Sequence, residues 1–326
     1  MDSEPYAVQM GRMEILPALD SPRVSSKIDA VVSSSRLLAT FDRTYYKKNM
    51  VSVIIVQFNG GELTRDAVTT FRASNRGDYE IILIDNSSTR REEVSLIRDL
   101  GCTIIENEEN LGFGRACNQG ANVAKGDLLF FLNNDTRTLQ DVIHPIELYF
   151  SMHPECGVLG VRLLNADGTE QCSTGEFPSI LSELKTKYAA GRLNVDKAGP
   201  VDWVTGAALI VPKTLFVQIG GFDEQLFMYF EDAELCKRVW NAGFEVHVTP
   251  ECEIVHLGAV GNADNKLPHI QLEYRKSQLR YYMKHTSVLQ QLLLRCYLLL
   301  KFGWRWLFGT AEQRVVAKLI LPILFV

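Results

Sequence analysis

The sequence predicts an α/β protein of Rossmann-like kind, a mostly parallel sheet flanked by helices, followed by a C-terminal helical extension. Three observations predict it. Strand–helix units follow one another from Val51 to Glu106 and beyond, and such alternation builds a parallel, doubly wound sheet. A continuous apolar run, Leu128–Leu132, then ends abruptly in Asn133, Asn134 and Asp135. That pattern marks a strand buried on both faces that delivers polar side chains at its carboxyl end. From residue 272 onward the chain turns to Leu-, Tyr- and Trp-rich stretches broken by basic residues.

Val51–Val56, VSVIIV, is the first strand; Gln57, Phe58 and Asn59 lie at its carboxyl end and Gly60-Gly61 makes the turn. A helix follows to Ser74, with Leu63, Ala67 and Phe71 on one face. Tyr79–Ile84 is the second strand and ends in Asp85-Asn86-Ser87-Ser88. A helix over Glu92–Leu100 closes on Gly101, and Cys102–Glu106 is the third strand. In Asn110–Gly126, residues Phe113, Ala116, Cys117, Gly120, Ala121 and Ala124 share a helical face of mostly small side chains that permits close approach to the sheet. Gly112 and Gly114 stand at its start. There a helix N-terminus offers free N–H groups to a diphosphate, a reading that competes with a plain tight turn. Arg115 and Asn118 add donors on the first turns.

Asp135, just outside the central strand, is a candidate to touch a substrate or a metal, with a solvated turn cap as the alternative. Thr138-x-x-Asp141 opens a helix that Pro145 must break or restart. Residues 157–180 read as strands around a turn at Asn165–Gly168, and 181–200 are polar and irregular. Val201–Val211 is strand-like; it contains Trp203, and Gly206 inside it marks close approach of a ligand or another backbone. Lys213–Ile219 is a short helix ended by Gly220-Gly221. In Phe222–Phe244 an aromatic run, Phe227, Tyr229 and Phe230, precedes Glu231-Asp232 at the start of a helix with Leu235, Cys236, Val239 and Trp240 on one side. Acids in a first turn suit the helix dipole, and after aromatics they also suit a general base at the wall of an apolar pocket. Phe244–Val248 is a strand, and Ile254–Gly258 carries His256 to its end. A lone histidine is more often structural than a ligand.

Hydrophobic content of 46% and charged content of 22% are those of a folded protein, and a net charge of −5 argues against nucleic acid as a partner. The charge is divided. From Arg275 to the end there are nine Lys/Arg and one acid, Glu312, so this end carries +8 and the preceding 274 residues −13. Seven cysteines without a Cys-x-x-Cys pair fit a reducing cytosol, and MDSEPYAVQM lacks the basic and apolar regions of a signal peptide. No stretch approaches the roughly 20 apolar residues that span a bilayer.

Taken in order, VSVIIVQFN, IILIDNSS, ENLGFGRACNQG, GDLLFFLNNDT, WVTGAALIVPK, GGFDEQLFMYFEDAELCKR and VHLGAV form a pattern that resembles the family 2 glycosyltransferases of GT-A fold, especially the bacterial rhamnosyltransferase-like branch. The likeness covers residues 50–260. It implies a catalytic domain at 50–262 between an N-terminal extension, 1–49, and a C-terminal helical region, 263–326. It implies a nucleotide-diphosphate sugar as donor, dTDP-L-rhamnose favoured, a lipid-linked or cell-surface glycan as acceptor, and inversion at the anomeric carbon. By resemblance the donor nucleotide meets Gln57, Asn59, Asp85, Asn86, Asn110, Gly112, Phe113, Arg115, Asn118 and Asn134. Asn133-Asn134-Asp135 occupies the place of the DxD motif with a single carboxylate. Asp135 and His256 would then hold a divalent cation, Mg2+ or Mn2+. Asp232 matches the base and Glu231 its acidic neighbour, while Trp203, Gly206, Phe227 and Tyr229 line the acceptor or sugar pocket.

Leu289–Leu300 and Phe302–Phe308, interrupted by Arg295, Lys301 and Arg305 and carrying Trp304 and Trp306, suit an amphipathic helix in a membrane interface. The competing reading is a helical hairpin packed on the catalytic domain or in a homo-oligomer interface. The expected location is cytoplasmic, peripheral on the inner face of the plasma membrane. Two other readings compete with the transferase. A nucleotidyltransferase needs a basic glycine-rich loop after the first strand, where QFNGGELTR has only Arg65. A non-catalytic nucleotide- or glycan-binding scaffold has no need of Asp85, Asp135, Asp232 and His256 together.

Overall fold

The computed structural model describes residues 50–185, 195–258 and 267–325. The expected N-terminal extension, part of the irregular 181–200 stretch and the segment 259–266 lie outside the described residues.

The first half is the predicted alternation. Strands β1 (Val51–Gln57), β2 (Tyr79–Asp85), β3 (Thr103–Glu106) and β4 (Leu128–Leu132) are separated by helices α1 (Gly61–Ser74), α2 (Arg91–Arg98) and α3 (Phe113–Val123). They pair in parallel in the order β3-β2-β1-β4. All five residues of β4 are buried, which is why its sequence is apolar without alternation. On α3 the small face works as expected: a side chain at Gly120 would put its Cβ 2.6 Å from Ile54 Cγ2.

The second half is mixed. Its elements are β5 (Thr136–Thr138), α4 (Ile143–Met152), β6 (Cys156–Leu164), the two-residue strands β7 (Glu170–Gln171), β8 (Thr174–Gly175), β9 (Gly199–Pro200) and β10 (Trp203–Val204), then β11 (Ala208–Pro212) and β12 (Glu245–His256). β11 lies antiparallel between β4 and β6, β12 runs parallel to β6, and β5 closes this edge antiparallel to β12. Three expectations are corrected. The Val201–Val211 run is two strands, because Thr205–Ala207 leave the ladder and bond instead to Ser173, Asp232 and Asn133. The two short strands expected before His256 are one, bent at a register shift between Thr249 and Glu253. Pro145 breaks nothing: it is the third residue of α4, in the first turn, where a backbone N–H has no helical partner to lose.

Helices α5 (Ile180–Lys185), α6 (Lys213–Gln218) and α7 (Glu231–Asn241) precede three C-terminal helices, α8 (Pro268–His285), α9 (Val288–Phe308) and α10 (Ala311–Ile323). The sheet core holds residues such as Val53, Phe71, Phe130 and Ile254. A second core joins Tyr281 and Tyr282 of α8, Leu294, Leu298 and Phe302 of α9, and Val316 and Ile320 of α10 to Ala233 of α7. The C-terminal helices are thus packed through α8 onto the helix that begins with Glu231 and Asp232. Among the described residues no helix is long and apolar enough to cross a membrane.

Candidate active site

Strand register brings the polar ends together. Gln57 pairs with Asp85 across β1 and β2, and Ile54 pairs with Phe131 across β1 and β4, so Asn134 continues at the level of Gln57. This is the carboxyl edge of a parallel sheet, where open α/β folds bind ligands.

At its first corner the Gln57 amide donates to Asp85 Oδ1 and to Ser88 Oγ, the latter at 2.8 Å. The backbone N–H of Asn59 donates to Ser88 Oγ at 2.9 Å. Asn59, at φ 53, accepts with Oδ1 from the Thr89 N–H. Ser88 Oγ in turn donates to Asp85 Oδ1, so Asp85 is held at the strand end with that oxygen engaged twice. Asn86 Oδ1 accepts from Asn107 Nδ2 and from the Leu111 N–H, both at 3.0 Å, and its own amide donates to Asn110 Oδ1 at 2.9 Å. Asn110 in turn accepts from the Gly112 N–H. These asparagines shape the loop into α3. Gly112 has φ +84, and a Cβ there would collide with the Phe227 carbonyl. The Phe113 N–H donates to that same carbonyl at 3.0 Å.

The second corner follows β4. Asn134 Nδ2 approaches the Gly60 carbonyl and Thr64 Oγ1 at the start of α1, at 3.4 and 3.3 Å. Because Thr136 pairs with His256 across β5 and β12, Asp135 Oδ1 lies 3.2 Å from His256 Nε2. Asn133 Nδ2 is 3.3 Å from the same nitrogen. On the far side of the ring, His256 Nδ1 is 2.6 Å from Gln171 Oε1. An Nδ1–H donated to Gln171 leaves the Nε2 lone pair facing Asp135.

The third corner is the start of α7. Gly206 N–H donates to Asp232 Oδ2 at 3.1 Å, and Ala207, the next residue, accepts from the Asn133 N–H at 3.0 Å. One short loop therefore ties Asp232 to the segment that carries Asp135. The Phe113 ring covers Gly206, at 3.3 Å from where a Cβ would be. Glu231 is buried and its Oε2 has no hydrogen-bond partner among the described residues. Burial, and then the charge of Asp232, push its carboxyl up to about 8. Burial also raises Asp232, and the N–H groups of Gly206 and Ala233 offset part of that rise.

The pair is preceded by two left-handed residues, Tyr229 at φ 69 and Phe230 at φ 67. Each such residue costs about 1–3 kcal/mol and persists only where packing enforces it. Here α8 does so: Tyr274 packs on both rings, at 5.5 and 5.1 Å between centroids, and Ser277 Oγ donates to the Met228 carbonyl at 2.8 Å. One turn into α7, Glu234 is fully buried. Burial alone would raise its carboxyl, but hydrogen bonds from His285, Arg238 and Lys284 hold it at about 2.

Four expected site residues stand differently. Asn118 spends its amide on the Phe222 backbone, donating at 3.0 Å and accepting at 2.9 Å, so it braces the 222 turn. Arg115 pairs with Glu224 at 3.6 Å. Trp203 donates to the Glu176 carbonyl and lies across Gly175. The Tyr229 ring faces Tyr274. Ser88, Asn107, Gln171 and Tyr274 join the arrangement without having been expected. Asn107 directly follows β3 and could have been found by the strand-end rule; Gln171 lies in a two-residue strand that carries no signal.

A GT-A glycosyltransferase fold accounts for this edge. Among solved structures, that of GalNAc-T7 with UDP, GalNAc and Mn2+ matches with a TM-score of 0.51 at 16% identity, over 72% of this chain; the chain spans 50% of that protein. The family model described as glycosyl transferase family 2 matches residues 52–211. The N-acetylglucosaminyl-diphospho-decaprenol L-rhamnosyltransferase of Mycobacterium tuberculosis is 23% identical over 73% of this chain and 86% of its own length. The rhamnosyltransferase WbbL of Escherichia coli is 26% identical over 64% of this chain and 83% of its own. These matches support a family 2, rhamnosyltransferase-like glycosyltransferase.

Glu231 provides a test of the buried pair that is independent of activity. Its folded-state carboxyl lies above its unfolded value of 4.5, so the stability it contributes is complete below that pH and is lost as pH rises toward about 8. Glu231→Gln therefore gains stability relative to the wild type as pH rises from about 5 to 8, read by urea denaturation at stepped pH. A difference that stays constant with pH contradicts the shift.

Proposed function

We propose that this chain is an inverting glycosyltransferase that moves a sugar from a nucleoside-diphosphate donor to a lipid-linked or cell-surface glycan acceptor. L-Rhamnose from dTDP-rhamnose is the favoured donor. The observation that carries the reading is the junction at the sheet edge, where the loop 205–207 bonds both Asp232 and the segment bearing Asp135. The family and the names of the relatives support the class of donor.

In this reading Gln57, Asn59 and Asp85 receive the base and ribose. The start of α3, at Gly112 and Phe113, and the segment carrying Asn134 border the diphosphate. Asp135 and His256 fit a divalent cation: a carboxylate oxygen and an imidazole lone pair 3.2 Å apart can occupy neighbouring positions on one ion, and Gln171 fixes the tautomer. Such an ion, Mg2+ or Mn2+, supplies neutralisation of charge on the departing diphosphate. Asp135 and His256 are the residues of this chain that would hold it. Asp232 accepts the proton of the acceptor hydroxyl, which displaces the nucleotide from the opposite face in a single step. Glu231 keeps its proton at neutral pH, so Asp232 can ionise without a like charge beside it. The hydrogen bonds of Gly206 and Ala233 aim its carboxylate. Gly206, with Phe113 over it, and Phe227 are left as the wall of the sugar pocket. In this scheme residues 50–262 are the catalytic domain, and α8 supports it from outside.

The same reading includes a peripheral membrane contact on the inner, cytoplasmic face. Along α9, Leu289, Leu292, Leu300, Trp304, Leu307 and Phe308 are 55–75% exposed, while Leu294, Leu298 and Phe302 face the helical core. The +8 charge from Arg275 onward complements an anionic lipid surface. A lipid-linked acceptor would be presented there, in keeping with the name of the mycobacterial relative.

Asp232→Asn is expected to lower turnover about 100- to 10,000-fold in a donor-to-acceptor transfer assay while nucleotide affinity is unchanged. Wild-type turnover in that variant contradicts the assignment of the base. For the membrane contact, the wild type floats with vesicles containing anionic lipid, and a Leu300→Glu, Trp304→Glu, Phe308→Glu variant stays at the bottom of the gradient. Equal flotation of the two removes α9 as the docking face.

A further inference from the structure

At the opposite end of the sheet from the candidate active site, two histidines and two glutamates converge. His153 is the residue that caps the C-terminus of α4, Glu155 immediately precedes β6, and Glu245 and His247 open β12. One ligand atom from each of His153, Glu155 and His247 lies within 4.8 Å of the others. His153 Nδ1 is 3.1 Å from Glu155 Oε1, and His247 Nε2 is 2.8 Å from Glu245 Oε2. The frame is rigid. The Glu245 N–H donates to the Glu155 carbonyl at 2.8 Å, and Cys156 N–H donates to the His153 carbonyl at 3.0 Å. The Tyr149 ring lies on His153, at 4.3 Å between centroids.

We infer that His153, Glu155 and His247 bind a zinc-class transition-metal ion. Imidazole nitrogen and carboxylate oxygen are the donor set of such ions, and neighbouring ligands of a tetrahedral ion bound at about 2.0–2.1 Å stand about 3.3 Å apart, close to the 3.1 Å between His153 and Glu155, with a His247 nitrogen inside 4.8 Å of both. His247 is 4% exposed at its side chain, and Tyr149 Oη lies 2.9 Å from its Nδ1. With Nδ1–H donated to that hydroxyl, Nε2 is directed at the carboxylates. Cys156 is not a ligand, because its thiol points to the Val158 carbonyl.

The ion would tie the end of α4 to the starts of two parallel strands, so its role is structural. β12 carries His256 nine residues beyond His247, roughly 25–30 Å along a strand, so this ion cannot be the one at Asp135. The inference rests on the cluster alone and stands or falls independently of sugar transfer.

The test uses the full chain, stripped with a chelator and then supplied with Zn2+ in Mg2+-containing buffer. The wild type and a His256→Ala variant each retain one equivalent of Zn2+ after desalting. At about 100 times its dissociation constant the ion raises Tm by about 5 °C. Co2+ in its place gives the visible bands of a four-coordinate site. Both signals are lost in His153→Ala and in Glu155→Gln, which alter half-exposed side chains and are expected to fold. Retention of the ion and of the Tm shift in those variants overturns the site. So does a wild type that takes up no ion, which would leave the cluster as a set of hydrogen-bonded histidines.

Discussion

The antiparallel pairing of β5 with β12 is the constraint on which the site depends. β4 is a buried apolar strand and must end where the sheet meets solvent; the chain then turns through Asn133–Asp135 and pairs at once with the end of β12. That ladder places Thr136 opposite His256, and so sets Asp135 beside an imidazole from a residue 121 positions away. No local signal specifies the contact. It follows from the register of one three-residue strand.

The second dependence is on the C-terminal helices. The Tyr229–Phe230 backbone is held in a conformation that side chains other than glycine avoid, and the aromatic faces of α8 hold it. The Lys284–Glu234 ion pair and the contact of His285 with the same buried carboxylate fix this helix one turn further on. Breaking one partner of such a buried network leaves an unpaired charge, and this makes α8 a structural part of the site it borders. The exposed side of α9 is then an extension of an element already anchored to the catalytic unit.

Much of the fold was legible because periodicity reports burial. The three crossovers from β1 to β4, the small face of α3 and the start of α7 at Glu231 all come from local pattern. What was not legible is long-range. The splitting of the Val201–Val211 run depends on the Gly206 N–H being needed by Asp232, 26 residues on. The antiparallel insertion of β11 between β4 and β6 carries no sequence mark. In the site, residues at strand ends, such as Gln57, Asp85 and Asp135, could be singled out by position, whereas Gln171 could not, since its contact with His256 is made across a two-residue strand. Asn118 and Tyr229 were plausible by residue type and turn out to be engaged with the Phe222 backbone and with Tyr274.

We propose that the edge formed by Asp85, Asn134, Asp135 and His256 binds a nucleoside diphosphate together with a divalent cation. A thermal-shift panel with UDP, dTDP, GDP and CMP, each with and without Mg2+ or Mn2+, tests this most directly. One diphosphate is expected to stabilise the protein only when the cation is present, by about 2.7 kcal/mol at about 100 times its dissociation constant, and Asp135→Asn should abolish the gain. A shift with dTDP identifies the rhamnose class of donor. No stabilisation by any of the four, with either ion, contradicts the account and leaves a glycosyltransferase fold without a working donor site.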